Sequence, residues 1–123
     1  MTKLSELTCE ACNTNAKLLT NDEIDIMLSK LLGWEVIVDS DIKKLKRQYL
    51  TENYQQSVSF TNAVALLAKS VNHHPQIIME YSSVTVIWWT HVIQGLHNND
   101  FIMAAKTSEL FKPDQSSESL VVP

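Results

Sequence analysis

Two very short turns constrain this chain more than any other feature. Asp39-Ser40-Asp41 separates the strand-like run Trp34-Glu35-Val36-Ile37-Val38 from residues 42–50. Ser82-Ser83 separates residues 76–81 from Val84-Thr85-Val86-Ile87-Trp88-Trp89-Thr90-His91, the most strand-like run in the chain. Val, Ile, Thr and aromatic side chains suit a half-buried pleated surface, and Asp and Ser favour turns. Turns this short leave no room for the crossover that parallel neighbours need, so each pair is expected to be an antiparallel hairpin. Residues 42–50 alternate imperfectly, Ile42, Lys44, Lys46 and Gln48 against Lys43, Leu45, Arg47 and Tyr49. Their basic residues read as the solvated face of the first hairpin.

Helical patterns flank and separate the hairpins. Thr20 and Glu23 frame a capping box. Ile24, Met27, Leu28 and Leu31 follow at helical spacing, and Gly33 stands where a helix would stop, which predicts a first helix over 21–32. Asn53 is an N-cap candidate, and Phe60, Val64, Leu67 and Val71 mark one face of a long helix over 53–71. Pro75 prevents its continuation and biases His74 toward an extended backbone. Asn98 can cap a last helix, with Asp100 in its first turn and Phe101, Ala104, Ala105 and Leu110 on its apolar side. The order is α-β-β-α-β-β-α. Its natural closure is an α+β domain, a four-stranded antiparallel sheet with three helices packed on one face.

A length of 123 residues fits one domain spanning 1–123. It divides into an N-terminal arm (1–19), a core (20–111) and a flexible tail (112–123) that is polar with proline and serine. A hydrophobic content of 45% is too high for a disordered chain. The net charge of −4 argues against nucleic acid as a partner. No apolar run approaches the roughly 20 residues needed to span a bilayer, and the first residues lack the apolar core of a signal peptide. The expectation is a cytoplasmic protein with no membrane or nucleic-acid partner. Cys9 and Cys12 form a C-x-x-C pair without the second pair that a zinc site requires. They read as a structural or incidental pair.

The chemistry gathers around Asn72-His73-His74-Pro75, with His91 and Asp100 downstream. Histidine changes protonation near neutral pH. Gly33 and Gly95 are the only glycines, so there is no phosphate-cradling loop, and there is no G-x-S-x-G nucleophile elbow. Adjacent side chains point different ways, an awkward start for a chelate, and no metal site is expected. The same divergence suits residues that flank a substrate, with His91 facing His73 across it as general acid and general base. Plain alternatives stand beside this reading. His74 could meet the last helix carbonyls, His91 could be a satisfied strand-end residue, and Asp100 could complement a helix N-terminus. His97, in a polar loop, reads as bystander.

His73-His74-Pro75, Tyr81, His91 and Asp100, at these spacings, resemble the pattern of the pterin-4a-carbinolamine dehydratases, particularly the bacterial members. Cys9-Glu10-Ala11-Cys12, Gly33-Trp34 and the stretch from Gly95 to Ala105 extend the resemblance over residues 7–111. The resemblance implies a hydro-lyase that converts 4a-hydroxytetrahydropterin to quinonoid dihydropterin and water. It implies a functional link to a phenylalanine hydroxylase, no cofactor beyond the pterin substrate, and a homodimer or higher homo-oligomer. It implies that His73 and His91 are the acid/base pair and that His74 positions the substrate, with Asp100, Lys69 and Trp89 in substrate-binding or supporting roles. Lys69 stands where family members often carry glutamate. An ammonium there disfavours a neighbouring imidazolium where a carboxylate would favour it, so an effect on rate is expected. The alternative is a non-catalytic dimerisation or binding module that keeps the fold, as animal relatives also serve a transcription factor.

Overall fold

The computed structural model describes residues 4–7 and 17–111. Cys9 and Cys12, most of the expected arm and the tail 112–123 lie outside the described residues. The elements are α1 (Asn21–Leu28), β1 (Glu35–Asp39), β2 (Ile42–Leu50), α2 (Tyr54–Val71), β3 (Gln76–Glu80), β4 (Ser83–Trp88) and α3 (Asn98–Leu110), with short 3-10 turns at Leu4–Glu6 and His91–Ile93. The four strands form one antiparallel sheet in the order β1-β2-β4-β3. The two hairpins therefore meet through β2 and β4, where Leu45 pairs with Trp88 and Leu50 with Ser83.

Local chemistry explains most boundaries. Thr20 and Glu23 form the expected capping box, each side chain accepting from the other's backbone N–H (3.2 and 2.8 Å). Asn53 caps α2 by accepting from the Gln56 N–H at 2.8 Å. Ser40 and Asp41 both have positive φ (55° and 67°), the mirror-image turn whose twist matches a two-residue hairpin.

Several boundaries differ from the sequence expectation. α1 stops at Leu28 rather than at 32, because Lys30 and Leu31 bond back to Met27 and Leu28 in tight three-residue turns. Gly33 (φ +90°) lies in the link to β1, where the Arg47 guanidinium approaches within 2.7 Å of the position a Cβ would take. In the second hairpin the turn is Tyr81-Ser82, and Ser83 already pairs with Glu80. β4 ends at Trp88, because Thr90 leaves the ladder to bridge Gly95. His91 accordingly sits in the 3-10 turn beyond the strand rather than at its end.

One sheet face carries Leu45, Tyr49, Val84, Val86 and Trp88. They pack against Ile24 of α1, Phe60 and Val64 of α2 and Phe101 and Ala104 of α3. Each large apolar side chain buried this way contributes roughly 1.5–3 kcal/mol. The Trp88 indole N–H is satisfied inside the core by the Thr107 hydroxyl at 3.0 Å. At the opposite end, Ser108 Oγ gathers the Trp34 indole N–H, the Tyr49 hydroxyl and an Arg47 N–H.

Burial raises the pKa of the Tyr49 phenol above its usual value, opposed by its hydrogen bond to Ser108 and by the charge of Arg47. The folded chain thus keeps this proton to higher pH than the unfolded chain. The associated stability is complete below about pH 10 and is lost as pH rises through the folded value. In urea unfolding, Tyr49→Phe is expected to lessen the fall of the midpoint above about pH 10. An alkaline slope identical to wild type contradicts this role.

Candidate active site

The site begins where α2 ends. Asn72 takes the left-handed conformation (φ 55°, ψ 43°) and terminates the helix. The next N–H, of His73, reaches back to the Ala68 carbonyl at 3.2 Å. Asparagine tolerates this conformation better than most residues, so Asn72, three residues ahead of Pro75, turns the chain. The turn sends the adjacent histidines apart. His73 is buried, with 3% of its surface exposed, whereas His74 is exposed.

Inside, the His73 ring stacks on the Trp88 indole, with centroids 5.5 Å apart and planes within 7°. Its Nε2 lies 2.8 Å from Asp100 Oδ1. Asp100 is fully buried at the start of α3. Its Oδ2 accepts from the Thr90 hydroxyl at 2.7 Å and from the His97 backbone N–H at 2.9 Å. A carboxylate only accepts, so Nε2 of His73 carries a hydrogen.

Outside, the exposed His91 ring places Nε2 at 3.2 Å from the His74 carbonyl oxygen. A carbonyl cannot donate, so this nitrogen also carries hydrogen, and Nδ1 is the basic nitrogen of the neutral ring. The Trp89 ring lies 4.4 Å from the His91 ring.

The fold thus brings His73, His74, His91, Asp100 and Trp89 to one end of the domain. His73 and His91, the expected acid/base pair, differ in setting: one is buried against a carboxyl group, the other is open to solvent. Lys69 is exposed in the last turn of α2, where a cation complements the helix dipole.

Sequence reasoning missed three contributors. Thr90 is one. His97 is the second: it, rather than Asn98, is the N-cap of α3. An acidic residue three positions after His97 was the available signal. Lys44 is the third; expected on a solvated face, it is 7% exposed, with its ammonium 3.9 Å over the Trp89 ring. A cavity of about 670 Å3 lined by Leu4, Leu7, Leu31, Leu32, Arg47 and Ser108 contains no histidine and is separate from this site. Among the described residues, no three His, Cys, Asp or Glu side chains are arranged to hold a metal ion, and no helix is long and apolar enough to cross a membrane.

The family model described as pterin 4 alpha carbinolamine dehydratase matches residues 17–110. The chain belongs to this family. Relatives that carry the dehydratase name occur in Saccharophagus degradans and Nitrosococcus oceani. The first is 43% identical over 112 residues, covering 91% of this chain and 99% of the relative. The second is 44% identical, with the same coverage. Among solved structures, the dehydratase fold recurs in a transcriptional coactivator/pterin dehydratase from Brucella melitensis. That structure has a TM-score of 0.71 and 26% identity, covering 78% of this chain and all of the other. A pterin dehydratase-like RuBisCO assembly factor of the alpha-carboxysome shares the fold at 19% identity, with a TM-score of 0.56, covering 67% of this chain and 93% of the other.

The buried network predicts an asymmetry in stability. Asp100→Asn either reverses the donor at His73 Nε2 or leaves a buried donor unpaired, at a cost of about 1–3 kcal/mol. His74→Ala, on the surface, should stay within about 0.5 kcal/mol of wild type. Urea unfolding of the two variants measures the difference, and equal midpoints contradict it.

Proposed function

We propose that this protein dehydrates 4a-hydroxytetrahydropterin to quinonoid dihydropterin and water, by proton transfer through histidines at the α2–β3 and β4–α3 junctions. The observation that carries this reading is the bond from His91 to the His74 carbonyl, beside the buried His73–Asp100 pair. It ties two exposed histidines to a third whose orientation is set from within.

The carbinolamine bears a hydroxyl on C4a, next to N5–H. The C4a–O bond breaks, the departing hydroxyl takes a proton and leaves as water, N5 gives up its proton, and the C4a=N5 bond forms. Protons and electrons balance within the substrate and two imidazoles. One ring, neutral, accepts the N5 proton at Nδ1, while the other, entering as the imidazolium with hydrogen on both nitrogens, gives its Nδ1 proton to the departing hydroxyl. His91, through Nδ1, and His73, through its Nδ1 edge, are the proton carriers. His74, exposed beside them, positions the ring. Asp100 fixes His73 and touches no substrate. General acid–base assistance of this kind contributes typically about 10²–10⁴-fold.

The substrate is the carbinolamine left by pterin-dependent aromatic amino-acid hydroxylation, so the functional partner is a hydroxylase such as that for phenylalanine. The edge strands β1 and β3 carry exposed Val38, Ile78 and Met79, which favours assembly into a homo-oligomer.

Stopped-flow measurement of carbinolamine dehydration tests the reading. Wild type should accelerate the reaction, and His91→Ala should lose about 10²–10⁴ of that acceleration. Equal rates for the two contradict a catalytic role. They would favour instead a binding role, which the description of the Brucella melitensis relative joins to dehydration.

A further inference from the structure

Lysine is almost never buried unless it is paired, and Lys44 is 7% exposed on the sheet face opposite the one that packs against the described helices. Register explains its place: Leu45 pairs with Trp88, so Lys44 adjoins Trp89 just beyond the end of β4. The Lys44 ammonium bonds Asp39 Oδ2 at 3.0 Å and lies 3.9 Å over the Trp89 ring. The same indole is 4.4 Å from the imidazole of His91. A chain of contacts therefore runs from the first hairpin through Asp39, Lys44 and Trp89 to His91, and on to the His74 carbonyl.

His91 sits in a short 3-10 turn, exposed, with no helix or strand of its own to hold it. Its Nε2 bond fixes one point of the ring but leaves rotation about that point. Contact with the Trp89 indole removes this freedom only if the indole is itself held. A cation over an indole face is attracted to it, and here the cation is anchored by a carboxylate. We propose that Lys44 is a positioning residue: by clamping Trp89 it fixes the His91 ring and the direction of its Nδ1 lone pair. The proposal rests on the dehydratase reading for its kinetic consequence, but not for its geometry.

The test compares Lys44→Met with Lys44→Arg, each alone and with His91→Ala. Misplacing a reacting group lowers turnover, so Lys44→Met should reduce kcat about 10-fold with KM within about 2-fold. Lys44→Arg restores the cation and should recover most of kcat. With His91→Ala present, Lys44→Met should cost nothing further, because its effect passes through His91. Full kcat in Lys44→Met, or an equal loss in the His91→Ala background, overturns the proposal. Lys44→Gln, which keeps much of the stem, repeats the comparison if Lys44→Met does not fold. Independently of activity, the carbethoxylation rate of His91 by diethyl pyrocarbonate, mapped by mass spectrometry, should rise severalfold in Lys44→Met. An unchanged rate overturns the positioning role. If wild type shows no dehydration, the functional reading fails by itself, and carbethoxylation still decides the role of Lys44.

Discussion

The carboxyl group of Asp100 accepts hydrogen bonds from three separate parts of the chain: the His73 imidazole after α2, the Thr90 hydroxyl after β4 and the His97 amide at the head of α3. Burying a carboxyl group costs several kcal/mol unless its oxygens are satisfied. The three segments must therefore arrive together. Their meeting point is also where the second hairpin hands over to the last helix, so the position of α3 and the orientation of His73 depend on one group.

From that point the site divides into an inner and an outer half. The left-handed turn at Asn72 drives His73 inward against Trp88 and leaves His74 outside. His91 returns over the outer half and bonds the backbone of His74 rather than its side chain. Both rings are thus held through Nε2, His73 by a buried carboxyl group and His91 by a backbone carbonyl. The adjacent histidines point different ways: His73 is locked into the core, and His74 is exposed at the surface.

Much of this was legible in the sequence. The hairpins, the capping box at Thr20, the Asn53 cap and the Phe60–Val64 face follow from short-range chemistry, and these appear in the structure. His73, His74, His91 and Asp100 could be singled out as candidates by residue type and spacing. What escaped depends on tertiary placement. Thr90 has an unremarkable side chain until Asp100 lies 2.7 Å away. Lys44 alternates as a solvated residue should, and only the β2–β4 register carries it to Trp89. His97 was overlooked because asparagine is the stronger N-cap residue, whereas the position three residues before Asp100 decides the cap here. The end of β4 was misplaced because Thr90 has strand propensity but pairs with Gly95 in a local bridge.

The tautomers of the two rings carry the whole scheme, and long-range 1H–15N correlation of histidine-labelled protein reads them directly. Under conditions where the rings are neutral, His73 and His91 should each show a protonated Nε2 and an unprotonated Nδ1. Addition of a dihydropterin should then perturb Nδ1 of His91 and leave the Nε2 proton of His73 in place. A neutral His91 protonated at Nδ1, or a pterin response confined to residues away from these rings, contradicts the scheme.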